Sequence, residues 1–109
     1  GRTAAISVAP TVQTAVAWLI VDDEETPLEI GRHTFGRRSD NDIVISDPFV
    51  SGRHGLIEVD ETGVYLTDTG STNGTVLNDA KITADQRTQL QKDDVIRLGE
   101  KTIRVRFKE

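Results

Sequence analysis

Three short groups of residues carry the chemical possibilities of this chain. They are Gly36-Arg37, then Ser51-Gly52-Arg53-His54, then Asp68-Thr69-Gly70-Ser71-Thr72-Asn73-Gly74-Thr75, with Asn78 just beyond. Arg37 offers a guanidinium fork, which matches a tetrahedral oxyanion better than a lone ammonium does. Ser51, Thr72 and Asn73 add neutral donors, and the glycines let backbone N–H groups approach a ligand closely. Such a set suits a phosphate held on loops and does not suit a phosphate being broken. No Walker loop, dinucleotide fingerprint or paired-carboxylate arrangement accompanies it. His33 and His54 are the only histidines, so a metal site or an Asp-His-Ser triad has little to draw on. No catalytic residue, metal or cofactor is assigned.

The elements that must position these groups are short apolar runs. Ala17-Trp18-Leu19-Ile20-Val21 reads as a buried strand, ended by a solvated acidic loop at Asp22–Glu25. Leu28 and Ile30 alternate with Glu29 and Gly31 as a half-buried strand, with His33–Gly36 continuing or pairing beside it. Ser39-Asp40-Asn41-Asp42 is turn chemistry. Its two aspartates hint at a calcium loop, but Val44 and a missing glycine break that pattern. Further strands are expected at Ile43–Ile45, His54–Val59, Val64–Thr67, Thr75–Leu77, Val95–Leu98 and Ile103–Phe107. Asp60–Gly63 forms a hairpin turn, and Ile103, Val105 and Phe107 share a face opposite Arg104 and Arg106. Residues 84–92 hold one large apolar side chain, Leu90, which argues against an amphipathic helix there. Strand signals about every eight to twelve residues, with no helix, predict an all-β sandwich. Gly1–Val16 lacks period and reads as a flexible lead-in, leaving residues 17–109 as one domain.

Composition narrows the function classes. A chain of 109 residues suffices for one domain with a real core. It has no cysteine, which fits a reducing compartment: the cytoplasm, or the nucleus in a eukaryote. No apolar run is long enough to span a membrane, and the first sixteen residues do not read as a signal peptide. The lack of an initiator Met suggests a fragment of something longer. Net charge is −5, which argues against a general nucleic-acid binder. Residues 32–54 nevertheless carry four Arg (Arg32, Arg37, Arg38, Arg53) against three Asp (Asp40, Asp42, Asp47). This locally basic rim on an acidic body attracts a phosphorylated segment and repels bulk polyanions.

The ordered groups resemble the forkhead-associated (FHA) domain, a β-sandwich module that binds phosphothreonine peptides. The family pattern is Gly-Arg, then Ser-x-x-His, then Ser-x-Asn-Gly-Thr, with a further Asn; here it spans about Trp18–Phe107. The resemblance implies a two-sheet, SMAD/FHA-like sandwich of about eleven short, mainly antiparallel strands. It implies phosphate contacts from Arg37, Ser51 and Thr72, with Gly52 and Arg53 assisting. Gly52 stands where the family often has Arg or Asn, and its N–H can substitute for that side chain. Asn73 and Asn78 would touch the bound peptide, with Ser71 and Phe49 shaping specificity. Gly36, His54 and Gly74 would be structural support. Threonine is expected over serine because its methyl group fills a small gap, worth about 0.8 kcal/mol. Apolar Phe49, two residues before Ser51, favours an aliphatic residue three positions after the phosphothreonine.

The expected function is therefore a non-catalytic, monomeric reader of phosphothreonine proteins, recruiting partners after a Ser/Thr kinase acts. The alternative is a phosphate-independent interaction or structural module that uses the sandwich faces. An enzyme ranks third.

Overall fold

Alternation of apolar and polar residues is converted into two sheets and one core. The computed structural model describes residues 14–109, so residues 1–13 of the expected lead-in lie outside the described residues. Eleven strands run in chain order: β1 (Ala17–Val21), β2 (Glu24–Leu28), β3 (Gly31–Gly36), β4 (Ile43–Val44), β5 (Gly55–Asp60), β6 (Gly63–Asp68), β7 (Val76–Leu77), β8 (Ala80–Lys81), β9 (Thr88–Gln89), β10 (Val95–Leu98) and β11 (Lys101–Phe107). One sheet has the order β2-β1-β11-β10-β7-β8 and the other β4-β3-β5-β6-β9. Only β3 and β4 pair in parallel, as Phe35↔Ile43 and Gly36↔Val44. The described residues are thus all-β, with two mainly antiparallel sheets, as the strand spacing predicts.

The inward positions of each strand form the core. Leu19, Ile103, Ile96 and Leu98 from the first sheet meet Phe35, Ile57 and Leu66 from the second, all 2% exposed or less. Each such side chain contributes roughly 1.5–3 kcal/mol by leaving water. On β11 the expected division holds: Ile103 and Val105 are buried while Arg104 and Arg106 are exposed. Ala17 pairs with Phe107, and the pairing extends one residue further, with the Val16 N–H on Leu28 O (2.9 Å) and the Lys108 N–H on Val16 O (3.1 Å). Ala15 is fully buried, so burial begins within the last residues of the expected lead-in.

Two local expectations need correction, and one stretch without a strand expectation is filled. The acidic run is not one loop: Asp22 and Asp23 adopt φ of 52° and 65°, and β2 starts at Glu24. That is a two-residue hairpin of the mirror-image type, which short polar side chains tolerate without glycine. Next, Leu28 ends β2 fully buried, whereas Ile30 lies in the connection to β3 and is 57% exposed. Finally, residues 84–92 contain β9, and Leu90 is 3% exposed with its N–H on Val64 O at 2.8 Å. One buried leucine and one backbone bond hold that stretch where period alone is silent.

The fold brings three loops to one end of the sandwich: residues 37–42 after β3, residues 45–54 before β5, and residues 69–75 after β6. These are the stretches that carry the candidate residues.

Candidate functional site

Loop-to-loop hydrogen bonds draw the three groups together. The Arg37 N–H donates to Ser51 O (2.9 Å), the Arg38 N–H to Gly52 O (3.2 Å) and the His54 N–H to Phe35 O (2.9 Å). Gly36 is required by this approach: a Cβ there would lie 2.3 Å from Gly52 O. Backbone cannot yield as a flexible side chain can. Gly36→Ala should therefore cost about 1–3 kcal/mol and spread the first two loops. A lower urea midpoint together with weaker ligand binding is the expected result, and unchanged values would show the approach to be dispensable.

The third loop is locked to the second through Ser51. Ser51 Oγ accepts the Thr72 N–H at 2.9 Å, which leaves the Ser51 hydroxyl proton free to donate. Asn73 is exposed; its Nδ2 donates to Phe49 O at 2.8 Å, and its Oδ1 has no partner among the described residues. Gly74 has φ of 84° and lies against Lys81. Arg37 is exposed, and among the described residues its guanidinium has no hydrogen-bond or ion-pair partner. A surface pair of Arg37 with Asp40 is not what forms. Asp40 instead takes Arg53 (2.8 Å) and Arg38 (3.2 Å).

Beneath the loops runs a buried hydrogen-bond chain whose direction the geometry fixes. His54 is fully buried; its Nδ1 accepts the Ser51 N–H at 3.1 Å, so that nitrogen carries no proton. Nε2–H then donates to Thr75 Oγ1 (3.0 Å) and Gly74 O (3.1 Å). The Thr75 hydroxyl passes its own proton to Asp68 Oδ2 at 2.7 Å. The same carboxylate takes the Ser71 hydroxyl (2.5 Å) and the N–H groups of Gly70 and Ser71, both at 2.8 Å. Ser71 Oγ in turn accepts the Gly74 N–H at 3.0 Å. Phe35 stacks on the His54 ring with centroids 5.7 Å apart. His54 is thus spent on architecture, with both nitrogens occupied.

Protonation follows from the same contacts. Burial pushes the His54 pKa below its ordinary value of 6.5, against the pull of Asp68 nearby. Burial works to raise Asp68, but the Ser71 and Thr75 hydroxyls and the Gly70 and Ser71 N–H groups outweigh it and hold it below 3.8. The unfolded chain takes up the His54 proton near pH 6.5 while the native state refuses it, so this contribution to stability is full above that pH and falls below it. The Asp68 contribution is kept above about pH 3.8 and lost as pH falls through its lower native value. Thermal midpoints should accordingly decline below about pH 6.5, and the His54 C2–H resonance should stay at its neutral position there; a normal titration of that resonance would contradict the buried assignment.

Of the residues singled out from the sequence, the structure brings Gly36, Arg37, Ser51, Gly52, Arg53, His54, Ser71, Thr72, Asn73 and Gly74 to the same loop cluster. Phe49 joins them, 52% exposed and lining one groove with Asn73. Asn78 is used differently: with φ of 51° it forms the β7–β8 turn with Asp79, its Nδ2 on Asp94 (2.8 Å) and its Oδ1 taking the Val95 N–H (2.9 Å). Both ends of that amide are engaged within the fold. Three residues escape sequence reasoning. Asp68 is the acceptor on which the third loop hangs. Asn41 is buried and ties Arg38 O (2.9 Å) to Gly52 O (2.7 Å). Asp47 is buried too, accepting the Phe49 N–H at 2.8 Å. An aspartate directly before a Gly-Ser loop is the one cue that was readable, since Asx side chains accept backbone N–H groups two residues on.

With this geometry in place, comparison with known proteins is specific. The FHA domain family model matches residues 30–99. The chain is 42% identical over 80 residues to the FHA domain-containing protein FhaA of Mycobacterium tuberculosis (strain H37Rv), covering 73% of this chain and 15% of that protein. It is 35% identical over 71 residues to FhaB of M. tuberculosis (strain CDC 1551 / Oshkosh), covering 65% of this chain. The match spans 44% of FhaB, so the chain corresponds to less than half the length of that relative. A solved structure from a structural and functional analysis of phosphothreonine-dependent FHA domain interactions superposes with a TM-score of 0.77. It has 38% identity and covers 85% of this chain and 97% of the other.

Proposed function

This chain belongs to the FHA domain family, and on that premise we propose that it is a phosphothreonine-dependent protein interaction module whose reading site is the three-loop cluster. The observation that carries the proposal is an Arg37 guanidinium without a partner among the described residues, on a backbone bonded to Ser51 O, together with a Ser51 hydroxyl whose oxygen is pinned and whose proton is free. In this reading Arg37 supplies charge-assisted donors to the phosphate, Ser51 one neutral donor, half-buried Gly52 its N–H and exposed Thr72 a further contact. Arg53 joins by leaving Asp40, an exposed pair worth at most about 1 kcal/mol. Asn73, fixed by Phe49 O, presents its Oδ1 to peptide backbone. Asn78 contributes indirectly, by holding the β7–β8 turn.

The module binds without turning over its ligand. His54, the one base near Ser51, has both nitrogens occupied, and Nδ1 faces the Ser51 N–H instead of its hydroxyl. The partner is a protein phosphorylated on threonine by a Ser/Thr kinase, taken up by a monomeric domain in the cytoplasm. The reading unit is the domain expected at residues 17–109, with buried Ala15 and hydrogen-bonded Val16 added at its start. An aliphatic side chain at the third position after the phosphothreonine packs on Phe49.

The test is a titration of one peptide with and without its phosphate. The phosphorylated form should bind at least tenfold tighter, and its affinity should decline below about pH 6 as the phosphate loses part of its second charge. Equal affinities would favour a phosphate-independent interaction module, and release of inorganic phosphate would point to an enzyme.

A further inference from the structure

The outer face of the six-stranded sheet carries charge opposite to that of the whole protein. Ala17, Leu19, Ile96, Leu98, Ile103 and Val105 point into the core, so their strand neighbours point away from it. The cross-strand register then places Arg106 opposite Trp18, Arg104 opposite Ile20 and Val95, and Arg97 opposite Val76, which in turn pairs with Lys81. Four cations thus share the strands of this face with one carboxylate, Glu25, in a chain of net charge −5, while Glu109 acts on Arg106 from the end of β11 and Asp93 lines a groove with Arg104 and Arg106. Glu25 is taken up by Arg106 through bonds of 3.0 and 2.8 Å, and Arg106 lies over the Trp18 ring at 4.0 Å. Arg97, Arg104 and Lys81 have no hydrogen-bond or ion-pair partner among the described residues. Glu100 and Asp79 line the same groove as Arg97 without bonding it.

This basic face runs on into the reading site. Lys81 packs on Gly74, and Arg97 lines the groove that also holds Phe49 and Asn73. From there β11 is one strand further, about 5 Å. We propose that the outer face of this sheet is a second contact surface for the same partner, taking an acidic polypeptide segment that flanks the phosphothreonine. The arrangement rests on the loop cluster holding the phosphate. Carboxylates about five to eight extended residues away come within reach of Arg97 and Arg104 at roughly 3.3 Å per residue. The apolar surface of Trp18, Ile20 and Val95 lies between the cations and adds dry contact.

Phosphothreonine peptides with four Glu, or four Gln, beginning at the fifth residue on either the N- or the C-terminal side test this directly. The Glu peptide should bind about fivefold to thirtyfold tighter than its Gln counterpart on one side at low salt, and the gain should shrink at 0.5 M salt. Trp18, the only tryptophan, should report it by a fluorescence change that the Gln peptide does not cause. Arg104→Glu should cancel the gain and leave the affinity of the Gln peptide as it was. Equal affinities for Glu and Gln on both sides would overturn the proposal. Unphosphorylated versions separate the two readings: a Glu gain that persists there, with no effect of the phosphate, would sink the reading site and leave this face standing. A DNA duplex that shifts Trp18 as strongly as the Glu peptide would overturn the assignment to a polypeptide.

Discussion

Arg37→Ala is expected to weaken phosphopeptide binding at least tenfold while the melting temperature stays where it was. Arg37 is exposed and its guanidinium has no hydrogen-bond or ion-pair partner among the described residues, so its removal breaks no polar contact of the fold. What it removes is charge-assisted bonding to the ligand, roughly 1.5–3 kcal/mol. The backbone of Arg37 stays in place, because its N–H bond to Ser51 O does not depend on the side chain. Arg37→Lys should recover only part of the loss, since an ammonium cannot reproduce the two-pronged geometry. Calorimetric titration with one phosphothreonine peptide, alongside thermal unfolding, checks both halves. Full affinity in the alanine variant would remove Arg37 from the site.

Asp68→Ala should act through the opposite route, on stability first and binding second. The carboxylate is 3% exposed and accepts two backbone N–H groups and two hydroxyls. Truncation leaves these donors without their partner, at about 1–3 kcal/mol for each that water cannot reach. A total of about 3–5 kcal/mol is a large part of the 5–15 kcal/mol that holds a typical domain together. Asp68→Asn keeps the shape and one acceptor oxygen, and should fall between wild type and alanine. In whatever fraction remains folded, residues 69–75 lose their anchor, Thr72 and Asn73 drift, and affinity falls as well. Urea unfolding provides the measurement; a loss below 1 kcal/mol for alanine would mean that water replaces the carboxylate at little cost.

The contrast between these two residues explains what was legible beforehand. Arg37 follows a glycine at a strand end and carries the most specific ligand chemistry in the chain, so residue type and place agree. The strands were equally plain, because Ile103, Val105 and Phe107 alternate cleanly with Arg104 and Arg106. Asp68 shows no role in the sequence, since its four bonds are to residues that look like ordinary turn formers. Asn41 and Asp47 were hidden for the same reason: burial of a short polar side chain depends on what folds over it. The Arg53–Asp40 pair spans 13 positions and joins two loops, which no local pattern reveals. The turn role of Asn78 was not legible, because a left-handed turn residue and a ligand-contacting amide look the same in one dimension. The Asp22-Asp23 hairpin failed on chemistry: a turn without glycine resembles a solvated loop.

The pairing of Ala17 with Phe107 sets how this unit can be wired into a larger machine. Entry and exit strands lie side by side, while Gly99 in the β10–β11 hairpin packs against Asp47 and Phe49 at the far end of β11. Seven residues of strand, roughly 23 Å, therefore separate the attachment points from the reading loops. Polypeptide joined at both ends would therefore depart from adjacent points at the back, and docking at the mouth would exert no leverage that pries those points apart.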